Sequence, residues 1–403
     1  MNIWYFSAYD RPRGHSSRTY DFARMLSAKG HKVSIFTNSV CHYTQEDRLD
    51  GKQKWLEEEI DDLTVTWLKT PKYSNNMERF INMLWNAFRA LQAGKARHDR
   101  PDIIVGPTVP LFTSWAAQRL AKRYNSPFFL EIRDIWPQTF VDLGKMRQDS
   151  FLFHALRWLE KSLYKSADTI VTTLPLGAKH VDESGGDPEK VIWIPNGVDL
   201  DRFTDVSYPG RKIDAPIHFV YTGSFGSGND LLPVIEACQK VEEVNPLWTL
   251  TLVGGGNQQD EIESLIKKYG LEEKIKLPGY VMKHEIPDIV RTGDAMLISL
   301  RPGDYFRFGC NINKMYDYYA AGRPVIFAGN VPNDSVKLSG CGYSVPANDV
   351  DELSKAMLAF MGLSFEQRKQ LGERARQYAE ENFDVRKLAT ILEKKMLQSI
   401  GEV

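Results

Sequence analysis

Lys314 and Asp317 stand three residues apart in the stretch NINKMYDYYAAGRPVIF, residues 311–327. On a helix that spacing puts both side chains on one face. A carboxylate accepts hydrogen bonds from both hydroxyls of a ribose, and a lysine neutralises a diphosphate beside it, so the pair suits a nucleoside diphosphate. A solvated salt bridge on an amphipathic helix is the plainer alternative. Asn311 or Asn313 supplies a cap for this helix, and Gly322-Arg323-Pro324 stops it before the apolar run 325–327.

Other stretches carry chemistry of the same kind. In YTGSFGSGND (221–230), Gly223, Gly226 and Gly228, with Ser224 among them, allow backbone amides to approach a diphosphate closely. The alternative is a flexible strand–helix turn. LVGGGNQQ (252–259) lacks the full dinucleotide fingerprint and reads as a tight turn, not a loop for a nicotinamide cofactor. AYDRPRGHSSRTYDFARML (8–26) places Gly14 before a helix that Ser16 or Ser17 can cap, with Arg11, Arg13 and Arg18 adding positive charge for an anion at the helix start. An ordinary capped helix explains it equally. EIRDIWPQTF (131–140) ends a buried run in Glu131, Arg133 and Asp134, and charges there usually face a cleft. An Arg–Asp ion pair is the bland reading, and Trp136-Pro137 offers a platform for a sugar ring. DLD (199–201) resembles a metal-binding triplet but falls in linker-like sequence, and the eight histidines show no ligand spacing, so no metal site is expected.

The elements that position these groups are legible from rhythm. Short apolar runs such as NIWYFS, KVSIFT, PDIIVG, PFFLEI and DTIVTT alternate with amphipathic helices, which implies parallel strands with right-handed crossovers. A Pro-, Gly- and Asp-rich stretch at 193–216 interrupts the rhythm, which restarts at IHFVYTG. The helix within 78–100 carries Phe80, Leu84, Phe88 and Leu91 at helical spacing, flanked by Arg79, Arg89, Lys95, Arg97 and Arg100. It either packs on its own sheet or lies, with Trp85, on an anionic membrane.

Bulk properties narrow the classes. A chain of 403 residues suggests two domains. A net charge of −1 argues against a nucleic-acid partner. Four scattered cysteines favour a reducing, cytoplasmic setting. MNIWYFSAYD reads as a strand and not a leader, and no apolar run is long enough to span a bilayer.

Taken in order, the motifs resemble the GT-B glycosyltransferases of the large retaining family four, over nearly the whole chain. GHSSRTYDFARMLSAKGHKVSIFT looks like the family's glycine loop, helix and second strand. IPNGVD (194–199) looks like the passage between its domains. NKMYDYYAAGRPV looks like its nucleotide-binding helix and is the most specific piece. EIRDIWPQTFVDLG is similar to a bacterial O-antigen and capsule subgroup that includes N-acetylfucosamine-type transferases. The resemblance implies an α/β GT-B fold, two Rossmann-like domains facing a central cleft: an acceptor-binding domain over 1–197 and a nucleotide-sugar domain over 198–382. A C-terminal helix near 383–403 is expected to pack back on the first.

It further implies that Asp317 replaces the glutamate that holds the ribose. Gly309 takes the place of a second glutamate that contacts the donor sugar, which suits a modified or deoxy sugar. The Arg/Lys pair that many relatives carry after GSFG is missing, and Lys314 takes over part of its phosphate work. The backbone at Tyr280 and Val281 would read the base. The expected donor site is thus Gly14, Gly223, Ser224, Gly226, Tyr280, Val281, Asn313, Lys314 and Asp317, with Asp134 and Arg133 positioning the acceptor and Lys314 assisting the leaving group. The expected reaction is metal-free, retaining transfer from a UDP-linked N-acetylated or deoxy sugar to a lipid-linked or polysaccharide hydroxyl. It needs no cofactor and takes place in the cytoplasm, with peripheral contact to the inner membrane face. A sugar-nucleotide epimerase or a non-catalytic sugar-nucleotide or glycan binder on the same fold remains the alternative.

Overall fold

Runs buried on both faces dominate the strands, as parallel sheets covered by helices require. The computed structural model describes residues 1–12, 18–42, 44–142, 144–209, 215–226 and 228–402. Gly14 and the two candidate capping serines lie outside the described residues. The chain divides into one unit of Met1–Asn196 with Val385–Val403, and a second of Gly197–Asp384.

In chain order the first unit contains β1 (Asn2–Phe6), α1 (Arg18–Ala28), β2 (Lys32–Asn38), β3 (Trp55–Ile60), β4 (Leu63–Leu68), α2 (Asn76–Ala96), β5 (Ile103–Pro107), α3 (Leu111–Tyr124) and β6 (Phe128–Ile132). It continues with α4 (Gln138–Asp142), α5 (Phe151–Ser166), β7 (Thr169–Thr172), α6 (Gly177–Glu183) and β8 (Val191–Trp193). The sheet order is β3-β4-β2-β1-β5-β6-β7-β8, parallel except for β3 against β4. That hairpin has no counterpart in the apolar rhythm, because β3 reads WLEEEI and lies at the sheet edge with no buried residue. Asp61 and Asp62, with φ of 51° and 61°, form its two-residue turn. Positive φ at both central positions is what a twisted hairpin demands.

The second unit holds β9 (Ile217–Ser224), α7 (Leu232–Val244), β10 (Trp248–Gly255), α8 (Gln259–Lys268), β11 (Ile275–Gly279), α9 (Ile286–Thr292), β12 (Ala295–Ser299), α10 (Asn313–Ala320) and β13 (Val325–Ala328). It ends with α11 (Ser335–Ser339), β14 (Gly342–Val345), α12 (Val350–Met361) and α13 (Phe365–Asn382). Its sheet is parallel throughout, in the order β11-β10-β9-β12-β13-β14. Phe219 and Tyr221 of β9 enter one core layer and Val220 the other, so the sheet is covered on both faces. Strand order reverses at β9/β12 here and at β1/β5 in the first unit. Open α/β sheets bind ligands beyond the carboxyl ends of the strands at such points.

The last helix, α14 (Val385–Ile400), returns to the first unit and buries Leu388, Ala389, Leu392 and Met396 with Ile3, Tyr5, Val33 and Ile35. Glu393 on its surface accepts from Lys29 at 2.7 Å and pairs with the His31 ring at 2.7 Å, fixing it to the end of α1. Leu392 is 1% exposed. Leu392→Ala is expected to destabilise the first unit by about 2–5 kcal/mol, as buried leucine truncations do. Urea unfolding followed by tryptophan fluorescence should show an earlier transition, and an unchanged curve would mean that the helix adds nothing to that core.

Candidate functional site

The carboxyl end of β9 is shaped by the need to accommodate a cation. Gly223 has φ +139°, and a Cβ built there would lie 2.7 Å from the Lys314 Nζ and 2.9 Å from its Cε. Any side chain would therefore displace the lysine. Lys314, on the first turn of α10, donates to the Tyr221 hydroxyl at 2.6 Å and to Asn229 Oδ1 at 2.9 Å, and its ammonium lies 4.0 Å from the Tyr221 ring centroid. Tyr221 in turn donates to the Ser224 carbonyl at 2.7 Å, and Asn229 donates to the Ser224 hydroxyl at 3.1 Å. The segment after β9 is pinned across the switch point, where Asp230 N donates to Ser299 O at 3.1 Å and Asn229 bridges to Leu300. Among the described residues no carboxylate pairs with Lys314. Both of its partners are neutral, and one of the three ammonium N–H groups remains for a ligand. Burial pulls its pKa down to about 7.

The neighbouring β10 end is equally constrained. A Cβ at Gly254 would meet Gly223 O at 1.9 Å, one at Gly226 would meet Asn257 Oδ1 at 1.9 Å, and one at Gly255 would meet the Tyr280 ring at 2.9 Å. Tyr280 is 77% exposed and lies against this edge, and Val281 follows it in the segment after β11. Asn313 is exposed at the first position of α10. Neither candidate asparagine caps that helix: Ile312 holds the cap position with no side-chain bond, and Asn311 Oδ1 accepts from Tyr316 at 2.6 Å. Asp317 lies half-buried one turn beyond Lys314, with its Oδ1 3.7 Å from Arg202 Nη1. Gly309 has φ +102°, a backbone conformation that disfavours the glutamate of the family pattern. Asp199 of the DLD stretch caps a 3-10 turn by accepting from Asp201 N at 3.2 Å. Among the described residues no cluster of three His, Cys, Asp or Glu side chains could hold a metal.

The first unit uses its charges differently. Arg18 does not stand ready for an anion, because its Nε donates to Glu131 Oε2 at 3.0 Å and its Nη1 to the Pro195 carbonyl at 2.6 Å. Arg133 donates to the other Glu131 oxygen at 2.6 Å, and also to Asp10 and Thr19. Two arginines and two carboxylates thus close on one another, and the flanking arginines hold the buried Glu131 carboxyl below its ordinary range despite burial. Asp134 accepts from Ile135 N at 2.8 Å and from the Thr139 hydroxyl at 2.7 Å, capping the turn into α4, while burial pushes its pKa upward. Trp136 is no sugar platform: it is 8% exposed and packs on Phe140 at 4.5 Å. Arg11 leans on Trp67 and donates to Ser39 O at 3.2 Å.

On α2 the buried face is Asn82, Met83, Asn86, Ala87 and Ala90. The large apolar side chains Met77, Ile81, Leu84, Trp85 and Phe88 point outward. Arg97 and Arg100 are not part of a free basic face. Arg97 is held by Asp99 at 2.7 Å, and Arg100 donates to the Tyr124 carbonyl at 3.0 Å. Sequence reasoning missed three residues around Lys314 and Asp317. Tyr221 and Asn229 lie within 221–230, where the glycines and Ser224 carry the sequence signal and a lone tyrosine and asparagine carry none. Arg202 sits in linker-like sequence that offered no signal.

Two α/β units with mainly parallel sheets, the second with a glycine-lined strand end beside Lys314, have the architecture of the GT-B class. Residues 13–197 match the Glycosyl transferase 4-like domain and residues 210–378 match Glycosyl transferases group 1. Together these matches span most of the chain, which belongs to the family-four glycosyltransferases. It is 25% identical over 240 residues to WcaL of Escherichia coli (strain K12), a glycosyltransferase assigned to colanic acid biosynthesis, and the match spans 58% of each chain. It is 24% identical over 313 residues to WcaI of the same organism, assigned likewise, across 72% of this chain and 74% of that one. Among solved structures, sucrose-phosphate synthase from Thermosynechococcus elongatus superposes with a TM-score of 0.73 at 17% identity over 100% of both chains. HepE of Anabaena, in complex with UDP and glucose, gives 0.67 at 15% identity over 98% of both.

The state of Lys314 sets a pH dependence. In the free protein its ammonium loses its proton as pH rises through about 7. A nucleotide sugar whose ionised diphosphate met this ammonium would require the protonated form. Its affinity is therefore expected to be full below pH 7 and to fall by up to about tenfold per pH unit above it. Calorimetric titration between pH 6 and 8.5 measures this. Lys314→Met should bind weakly with a flat profile, and a flat wild-type profile would show that this ammonium does not meet the phosphates.

Proposed function

We propose that the protein is a glycosyltransferase that moves a sugar from a nucleotide donor to a hydroxyl during synthesis of a cell-surface polysaccharide. The observation that carries this reading is the Lys314 ammonium, set against Gly223 at the switch point with no carboxylate partner among the described residues. Support comes from the relatives assigned to colanic acid synthesis and from HepE, a structural neighbour solved with UDP and glucose. In this reading Lys314 and the first-turn amides of α10 meet the diphosphate, Asp317 accepts from the ribose hydroxyls, and the backbone at Tyr280 and Val281 meets the base. Gly223, Ser224 and Gly226 form the floor beneath the phosphates.

The bond from the anomeric carbon to the phosphate oxygen breaks as the acceptor oxygen bonds to the same face of that carbon. The acceptor proton passes to the departing phosphate. Charge grows on that phosphate in the transition state, where a fixed cation and fixed amides act without reorganisation. Arg133 and Asp134, expected to position the acceptor, have no such role in this reading, because their hydrogen bonds close on Glu131, Asp10, Thr19, Ile135 and Thr139 within the first unit. The donor is a UDP-linked N-acetylated or deoxy sugar, consistent with a glycine at position 309 in place of a sugar-binding glutamate. The acceptor is a lipid-linked or polysaccharide hydroxyl, as in O-antigen or capsule assembly.

Such an acceptor lies at an anionic membrane, which the protein meets from the cytoplasmic side. The apolar stripe on α2, with Trp85 41% and Phe88 50% exposed and Arg89 5.1 Å from the Trp85 ring centroid, suits that interface. No described helix is long and apolar enough to cross a membrane.

Three measurements test the reading. Purified protein given a nucleotide sugar alone and then with a lipid-linked acceptor should form product only with both. Epimer or free sugar from donor alone would identify an epimerase or hydrolase, and donor binding without turnover a non-catalytic binder. Activity should survive EDTA, because the cation is built into α10; loss in EDTA with rescue by one divalent ion would overturn the metal-free mechanism. In liposome co-sedimentation, binding should grow with anionic lipid and fall several-fold in Trp85→Ser/Phe88→Ser. Equal sedimentation of variant and wild type would remove α2 from the membrane contact.

A further inference from the structure

Arg202 ends the 3-10 turn Leu200–Arg202, just after the start of the second unit. The turn is firmly set. Asp199 caps it, Leu200 and Phe203 are buried in the core beneath, and the Phe203 carbonyl accepts from Arg376 at 3.0 Å. From this base the guanidinium reaches two elements far apart in the chain. Its Nη1 lies 3.7 Å from Asp317 Oδ1 on α10, and its Nη2 donates to the Lys283 carbonyl at 3.1 Å, two residues beyond Val281. The segment it grips is exposed, with Tyr280 at 77% and Met282 at 56%. The side chains of Arg202 and Asp317 are 26% and 20% exposed.

We infer that Arg202 is a positioning residue for the nucleoside, tying the carboxylate that meets the ribose to the segment that meets the base. This rests on the reading of Asp317 as the ribose acceptor. A planar guanidinium presents donors along two edges and holds both partners at a fixed separation, whereas a lysine offers a single ammonium on a flexible stem. A carboxylate is a strong acceptor for hydroxyls, and the guanidinium beside it fixes where it stands. Ribose and base are joined by one bond in the ligand. The gap between Asp317 and the 280–283 segment therefore decides whether both are met at once.

The test compares Arg202→Gln, Arg202→Lys, Asp317→Ala and the Arg202→Gln/Asp317→Ala double variant in the full chain. Affinities for UDP and for ADP are measured by calorimetry, and the melting temperature without ligand is recorded. Asp317→Ala is expected to weaken nucleotide binding roughly tenfold or more, by loss of a charged acceptor. Both Arg202 variants should weaken it roughly tenfold and change the ratio of UDP to ADP affinity, with the ligand-free melting temperature within a few degrees of wild type. The double variant should lose clearly less than the product of the two single losses, because the residues act as one unit. If Asp317→Ala leaves affinity unchanged, the ribose reading itself fails. If Asp317→Ala weakens binding while either Arg202 variant matches wild type, or the losses simply multiply, the positioning role of Arg202 is overturned.

Discussion

A buried charge is stable only beside an opposite charge or a set of dipoles, and the two units meet this constraint in opposite ways. In the first, Arg18, Arg133, Glu131 and Asp10 satisfy one another at the ends of β1 and β6 and join the start of α1 to the sheet. In the second, Lys314 is surrounded by a phenol, an amide and a glycine, and no carboxylate among the described residues approaches it. The first arrangement is complete without a ligand. The second leaves its lysine without a counter-charge among the described residues, which an anion would supply. The donor-binding reading, the pH dependence and the geometry of the glycine-rich strand ends all follow from that difference.

The sheet supplies the place for such a charge. Parallel strands direct their carboxyl ends to one edge, and the order reversal at β9/β12 leaves a gap that no crossover covers. Gly223 keeps that gap wide enough for the lysine, while Gly254 and Gly255 let strand and tyrosine close in from the side. The tight strand ends and a lysine held by Tyr221 and Asn229 are both in place without a ligand.

Much of this was legible in sequence, and the limits have physical causes. Alternating apolar runs and helices reveal parallel units because burial on both strand faces leaves a continuous hydrophobic signature. β3 escaped because an exposed edge strand carries the charges of WLEEEI instead. The lysine and aspartate of α10 were visible because i, i+3 spacing is a local property. Their partners were not, since Tyr221, Asn229 and Arg202 reach them across 85 residues or more. On α2, helical periodicity marked the apolar residues but not which face the sheet would take. Alanines and asparagines pack inward against α3, where bulk would keep the helices apart, and the aromatics are left outside. The basic run at 95–100 likewise gave no sign that Arg97 would fold back onto Asp99.

Two features of α10 weaken the free protein in the same place. Its first turn lacks a side-chain cap, where a good cap contributes about 1 kcal/mol. Its lysine is desolvated enough to titrate at about 7. Both costs are removed by one kind of ligand: an anion at the helix start accepts from uncapped amides and neutralises the ammonium. A third feature, the φ of +102° at Gly309, disfavours any longer side chain at that position. Local stability has thus been given up where a diphosphate would restore it, a trade expected at a binding site and without purpose in a purely structural helix.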